Sequence, residues 1–303
     1  MASLRLPSSI VARLRQRQYG GASNRFFSLL HSELIHHDTA KDGSKSNNAS
    51  TSNKHMVFLH GLLGNGRNLK TLATKASAQT GHTGVLLDLR GHGKSFLKQQ
   101  TVWQEPHTFD ACVQDVQTSL QITPHDTLVG HSWGGRVALQ YAATTSGDSL
   151  DRLWLLDTVP GKADESVERV LEAMYKLHQS PPADRKQVVT LLTQQHGIDK
   201  ATAQWLASSF NAKTGDFGFD LNVVQGLWPE FQTQDFFGLV EKCIQAGTRV
   251  DLVRGGKNTG WTVEILRELN ALQGPNFAVH VLPKAGHNVH VDDLPGLLEI
   301  MKN

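Results

Sequence analysis

Apolar residues in this chain fall into short runs separated by stretches in which they recur at helical spacing. His55 to Leu59, Val85 to Leu89, Thr127 to Val129, Leu153 to Leu156, Arg249 to Val253 and Ala278 to Leu282 are the runs. Short segments rich in Val and Leu, bounded by Gly, Asp or Pro, predict buried strands. Leu69 to Thr80, Phe109 to Gln121, Arg136 to Ala143, Thr262 to Ala271 and Leu294 to Met301 predict helices. Gly81 is placed to end the first of these, and Thr108 to cap the second. Upstream, Leu29 to His37 alternates as a first strand would. Strand and helix in strict alternation predict an α/β fold. Its sheet is mostly parallel, with helices on both faces, because each parallel crossover needs a helix to cover the sheet.

The pattern changes between Gly161 and Gly247. Glu165 to His178, Asp184 to His196, Lys200 to Phe210 and Phe236 to Gln245 are four helical stretches with no convincing buried strand among them. Such an insertion reads as a helical cap, residues 161–247, over a core formed by residues 55–160 and 248–303. It would cover the C-terminal edge of the sheet, where open α/β sheets bind ligands. Residues 38–54 hold no aliphatic side chain larger than alanine and read as a disordered polar loop.

Charge sharpens the picture at the N-terminus. Net charge is +2, yet residues 1–32 contain Arg5, Arg13, Arg15, Arg17 and Arg25 and no acid. Apolar residues are interleaved with those arginines, which excludes a continuous secretory core and fits an organellar transit peptide over residues 1–28. Arg25-Phe26-Phe27-Ser28 resembles a mitochondrial processing site, so the mitochondrial matrix is the expected location, with plastid and cytoplasm as alternatives. The rest of the chain is mildly acidic, and no nucleic-acid surface is expected. No apolar run approaches the roughly 20 residues of a membrane span. The two cysteines, Cys112 and Cys243, fit neither a disulfide framework nor a CxxC metal site and read as buried hydrophobes.

Candidate chemistry begins at Gly130-His131-Ser132-Trp133-Gly134. A G-x-S-x-G core between strand and helix is the signature of a nucleophile elbow. The two glycines remove the Cβ atoms that would clash where strand and helix cross. A serine nucleophile needs a base and an acid to orient that base. The base should follow the last strand, and Gly286-His287 stands there; His280 and His290 are weaker candidates. An oxyanion hole needs two backbone N–H groups. One is expected from Trp133. The other is expected from Leu62, in His60-Gly61-Leu62-Leu63-Gly64 after an early strand, where His60 has a structural role.

HGLLG, DLRGHGKS at Asp88 to Ser95, GHSWGG and AGH, in this order, resemble the α/β-hydrolase superfamily in its capped esterase–lipase branch. Leu155-Leu156-Asp157-Thr158-Val159-Pro160 narrows the likeness to the mitochondrial alpha/beta hydrolase domain-containing protein eleven family and related bacterial short-chain esterases. The resemblance covers about residues 55–303. It implies an α/β-hydrolase fold and a triad in the order serine, acid, histidine. In most of the superfamily the acid follows the strand after the cap. Here Arg254 to Gly260 has no carboxylate, Asp251 precedes the strand's end, and relatives with this arrangement use the earlier aspartate. Asp157 is therefore the expected acid, with Asp220 and Glu264 as backups and Asn258 able to add a neutral hydrogen bond. Asp88 and Arg90 are expected to form a structural pair. Asp110, Asp115 and Asp126 are expected at the surface or in caps.

The expected reaction is hydrolysis of carboxylic esters, including acylglycerol or other lipid esters and thioesters, through an acyl-enzyme on Ser132. No metal or organic cofactor is called for, and the expected partner is the small-molecule or lipid substrate. Carbon–carbon bond hydrolysis, cofactor-free peroxidation and a non-catalytic interaction module of the same fold are the alternatives. Met174, Trp205, Phe210, Phe217, Phe219, Trp228, Phe231, Phe236 and Phe237 suit either an apolar acyl pocket or the cap's own core.

Overall fold

The computed structural model describes residues 30–36, 54–97, 103, 106–123, 126–144, 150–162, 165–272 and 274–302. The expected transit peptide, and all of the polar loop except Lys54, lie outside the described residues. Seven strands form one sheet in the order β1-β3-β2-β4-β5-β6-β7. They are β1 (His31–Ile35), β2 (His55–Leu59), β3 (Thr83–Asp88), β4 (Thr127–His131), β5 (Arg152–Leu156), β6 (Arg249–Gly255) and β7 (Phe277–Leu282). Only β1 runs antiparallel, against β3; the other pairings are parallel.

The strands read as continuous apolar runs because both faces are covered. Alternation within each run sorts the side chains. Val57, Leu59, Val85, Leu87, Leu153 and Leu155 enter one core cluster, with Val116, Val137 and Val240 from flanking helices. Met56, Phe58, Leu86, Val129, Trp154 and Leu156 enter the other, with Leu72, Ala76 and Leu297. Local signals set the helix ends. Thr108 accepts from Ala111 N at 3.1 Å to start Phe109–Ser119, and Gly81, in the left-handed region at φ 75°, ends Lys70–Thr80.

A third cluster belongs to the helices between β5 and β6. Met174, Phe210, Phe217 and Phe219 are buried there with Leu171, Val188 and Leu206. Two expectations change. Phe236–Gln245 does not belong with this cluster: Phe236, Leu239, Val240 and Cys243 pack into the sheet's core, so the helix serves the core rather than the cap. Leu221–Thr233 is a helix the sequence reading passed over. Gly226 and Pro229, both inside it, disguise its pattern.

Arg136, in the helix Trp133–Thr144, is 1% exposed and pairs with no carboxylate among the described residues. Its Nη2 donates to Val159 O and Gly161 O, both at 2.6 Å, and its Nη1 donates to Phe231 O at 3.1 Å. Its guanidinium lies 4.0 Å from the centre of the Phe231 ring. Burial pulls its pKa down to about 10. One side chain thus ties the segment leaving β5 and the end of Leu221–Thr233 to a single helix.

Another expected pairing is exchanged. Arg90 does not pair with Asp88. Its Nε and Nη2 donate to Asp115 at 2.6 and 3.1 Å, so Asp115 is a buried partner rather than a surface residue. Asp88 instead accepts from Gly66 N at 2.7 Å and Lys94 N at 2.8 Å, fastening two loops. Asp126 is buried and accepts from His55 N at 2.7 Å and Thr123 N at 2.8 Å.

His60, His92, His131 and His290 are buried in or beside the loops at the C-terminal ends of the strands. Desolvation is the main cause that lowers each pKa, to about 4 for His60 and His290, to about 3 for His92 and well below 6.5 for His131.

Arg136→Met should cost about 2–4 kcal/mol in urea unfolding, because it strips the donor from three carbonyls. A cost below about 1 kcal/mol would show that these bonds do not anchor the segment. The histidines are neutral in the fold but protonate in the unfolded chain at about 6.5. Their stabilisation is present above that pH and is lost as pH falls toward about 4. The urea midpoint should therefore decline steadily across that window, and a flat midpoint from pH 6.5 to 4.5 would contradict the assignment.

Candidate active site

β4 delivers Ser132 to the C-terminal edge of the sheet, and Trp133–Thr144 starts at the next residue. The reversal is tight enough to hold Ser132 at φ 53°, a region an L-residue occupies only when its surroundings over-determine it. Ser132 N donates to Leu156 O at 2.9 Å, and Ser132 O accepts from Gly135 N at 3.0 Å. A Cβ on Gly130 would run into the backbone of Gly134 and Gly135, and one on Gly134 into the carbonyls of Leu59 and His60. Both glycines are needed for close backbone approach, and neither is needed for a left-handed turn.

Asp157 follows β5 on the neighbouring strand and is also strained, at φ 45°. Its carboxylate is fully buried. Oδ1 accepts from Gly255 N at 2.7 Å and from the Trp261 indole at 2.8 Å. Oδ2 accepts from the Asn258 amide and, at 2.7 Å, from His287 Nδ1. All four neighbours are donors, which satisfies both oxygens of a group too costly to bury otherwise.

The donor on Nδ1 leaves Nε2 of His287 as the acceptor, and Ser132 Oγ lies 3.0 Å from it. His287 is roughly half exposed on the loop after β7. Its backbone carbonyl accepts from His131 Nε2 at 3.0 Å. Ser132, His287 and Asp157 therefore form one hydrogen-bonded relay across three strand ends.

The other candidates lie elsewhere. Asp220 caps Leu221–Thr233 by accepting from Asn222 N at 2.9 Å, and Glu264 is exposed in the first turn of Val263–Ala271. Neither bonds His287 among the described residues. His280 and Asp251 meet at 2.8 Å, and Arg152 and Arg249 add donors to the same carboxylate. Burial alone would raise the Asp251 pKa, but those three hydrogen bonds overcome it and bring it to about 2. His290 packs edge-on against His131, with ring centres 4.6 Å apart.

The loop after β2 passes directly beside the serine: a Cβ on Gly61 would sit 3.5 Å from Ser132 Cβ. Leu62 N and Trp133 N, the expected oxyanion donors, have no hydrogen-bond partner among the described residues. Trp133 N opens a helix, at the positive end of its dipole. Two contributors escaped the sequence reading. Trp261 gave no motif signal, and the role of His131 follows only from the fold. No group of three or more His, Cys, Asp or Glu side chains that could hold a metal occurs among the described residues. Both cysteines are buried, and burial pushes the Cys243 thiol up to about 12.

Known proteins resemble this chain over most of its length. The chain is 28% identical over 256 residues to "Esterase YbfF" of Escherichia coli, covering 83% of this chain and 92% of that one. It is 28% identical over 262 residues to "sn-1-specific diacylglycerol lipase ABHD11" of Xenopus laevis, covering 82% and 78%. Among solved structures, E-2-(acetamidomethylene)succinate hydrolase superposes with a TM-score of 0.64 at 21% identity, covering 82% of this chain and 90% of that one. A marine microorganism esterase superposes with a TM-score of 0.66 at 17% identity, covering 89% and 97%. At those identities the two structures speak for the fold alone. The model of the alpha/beta hydrolase fold matches residues 54–294, and the chain belongs to that family.

Proposed function

We propose that this protein is a serine hydrolase of carboxylic esters. The observation that carries the reading is the relay from Ser132 through His287 to Asp157, with distances of 3.0 and 2.7 Å. Relatives that bear the names esterase and diacylglycerol lipase support the same bond type.

In the proposed reaction His287 Nε2 takes the Ser132 proton as Oγ attacks the ester carbonyl carbon. The carbonyl electron pair moves onto oxygen, and the N–H groups of Leu62 and Trp133 receive that charge. The tetrahedral intermediate collapses, and His287 protonates the departing alkoxide. Water, activated by the same imidazole, then attacks the acyl-enzyme and releases the acid. Asp157 holds the ring in the tautomer that exposes Nε2 and stabilises the imidazolium as it forms.

Phe210, Phe217 and Phe219 form the cap's own core and Phe231, Phe236 and Phe237 pack on the sheet's core, which narrows the acyl-pocket reading. Trp228 is left partly buried and stacked on Phe231 at 5.8 Å, while Leu62 packs against the same cluster. We infer a substrate with an apolar acyl chain, of the lipid-ester or acylglycerol kind, that lies between cap and oxyanion loop. No helix among the described residues is long and apolar enough to cross a membrane. The Arg-rich, acid-free leader supports delivery to the mitochondrion.

A fluorophosphonate probe should label Ser132 in the full chain and not the Ser132→Ala variant; a folded wild-type protein that never labels overturns the enzyme reading. Asp157→Asn should lower kcat on p-nitrophenyl esters by about 10³–10⁴-fold. Asp220→Asn and Glu264→Gln should leave it within about twofold, because neither side chain bonds His287 among the described residues. Near-normal turnover in Asp157→Asn, with collapse in either of the others, reassigns the acid. N-terminal sequencing of the chain recovered from mitochondria should begin near Phe27 or Ser28, and an intact Met1 in a cytosolic fraction would refute cleavage.

A further inference from the structure

The loops after β2 and β3 each carry one buried histidine, and each histidine reaches across to the other loop. His60 Nδ1 donates to Gly61 O at 2.8 Å, and its Nε2 accepts from Leu89 N at 3.0 Å. His92 Nδ1 donates to Arg90 O at 2.8 Å, and its Nε2 accepts from Leu63 N at 3.1 Å. A backbone N–H can only donate, so Nε2 of each ring must be unprotonated and each tautomer is fixed. The two loops are thus cross-braced by a reciprocal pair of neutral imidazoles.

The His92 arm holds a strained residue. Leu63 sits at φ 61°, a left-handed conformation that a branched side chain adopts only under constraint. Two constraints are visible: the bond from Leu63 N to His92, and the Leu63 side chain, which is buried in the cap's cluster. Leu63 directly follows Leu62, one of the two oxyanion donors proposed above. The second donor residue meets the same ring, because Trp133 stacks on His92 with centres 5.2 Å apart and planes at 30°.

His92 is in turn gripped by the cap. It forms an antiparallel bridge with Phe219. Gly93 N donates to Gly218 O at 2.8 Å, and Asp220 N donates to Gly91 O at 2.7 Å. The Phe219 ring lies 6.3 Å from the His92 ring and belongs to the cap's apolar cluster. A continuous path of contacts therefore runs from the cap segment 218–220, through one imidazole, to both residues that face the developing negative charge.

We propose that His92 is a positioning residue that couples the seating of the cap to the shape of the oxyanion hole. This inference rests on the serine-esterase reading. When residues 218–220 are docked on Gly91 to Gly93, Nε2 of His92 holds Leu63 in its strained conformation and Leu62 N faces the serine. When the cap segment lifts, the acceptor moves away, Leu63 relaxes and the donor turns from its target. A substrate that packs well under the cap is then the one whose transition state is best stabilised. The coupling acts on kcat, because the oxyanion charge exists only in the transition state.

The test compares His92→Phe, which keeps a ring between Trp133 and Phe219 but no acceptor, with His92→Gln, whose side-chain oxygen can reach Leu63 N. His92→Phe should lower kcat on p-nitrophenyl butyrate by about 10- to 100-fold with KM nearly unchanged. It should weaken an aryl boronic acid, which mimics the tetrahedral state, by a similar factor. His92→Gln should restore at least a third of the wild-type kcat. Phe219→Ala should lower kcat less, and His92→Phe with Phe219→Ala should be no slower than His92→Phe alone, because both act through one path. Melting temperatures of all variants identify losses that come from unfolding.

His92→Phe that stays folded and keeps kcat within threefold of wild type overturns the inference. So does a kcat loss that His92→Gln does not relieve, or effects of the two substitutions that multiply. A wild-type protein that neither labels with fluorophosphonate nor turns over esters overturns the esterase reading and this inference together. An active wild type with an unaffected His92→Phe overturns this inference alone.

Discussion

The structure turns on a carboxylate that has no access to water. Burying an ionised side chain costs several kcal/mol unless donors replace its hydration. Asp157 meets that requirement with an indole, a carboxamide, a backbone N–H and an imidazole. These donors come from the end of β6, the loop after it and the loop after β7, while Asp157 itself directly follows β5. One anion therefore fixes three strand ends relative to one another. The left-handed backbone at Asp157 survives because those contacts leave the carboxylate nowhere else to go.

The loop after β6 supplies donors to the Asp157 carboxylate rather than a carboxylate of its own. Gly255 at the end of β6, and Asn258 and Trp261 in the loop, all donate to Asp157 at the end of the adjacent strand. Parallel strands put both positions on the same edge of the sheet, so either can reach the imidazole on the loop after β7. His131 adds a second hold on that loop by donating to the His287 carbonyl. The orientation of His287 is set from its ring and from its backbone at once.

The cap is joined to this site by polar contacts as much as by apolar packing. Arg136 binds carbonyls on the segment leaving β5 and on the helix that closes the cap, and it does so from the helix that begins at the serine. The bridge at His92 and Phe219 joins the cap to the loop after β3. Buried groups with several fixed partners have few alternative arrangements, and that gives the cap a defined seat over the strand ends.

Much of the fold was legible in the sequence. The runs from His55 to Leu59 and from Leu153 to Leu156 announced strands buried on both faces, and Gly81 and Thr108 marked helix ends, because those signals are local. Leu221–Thr233 was hidden since Pro229 and Gly226 argue against a helix that tertiary packing nonetheless imposes. Phe236–Gln245 has the same apolar pattern whether it covers a cap or a sheet, and periodicity cannot say which surface it meets.

Pairings were the least legible. Arg90 is two residues from Asp88 yet reaches Asp115 on a helix, and that choice depends on where the loop places its guanidinium. By itself the sequence determined the strand–helix alternation and the chemistry available at each strand end, because backbone preference and side-chain type are written residue by residue. Only the tertiary structure decided which acid meets His287, which donors bury Asp157 and which loop His92 holds. Those bonds join residues far apart in the chain, and their directions exist only once the strands have been laid side by side.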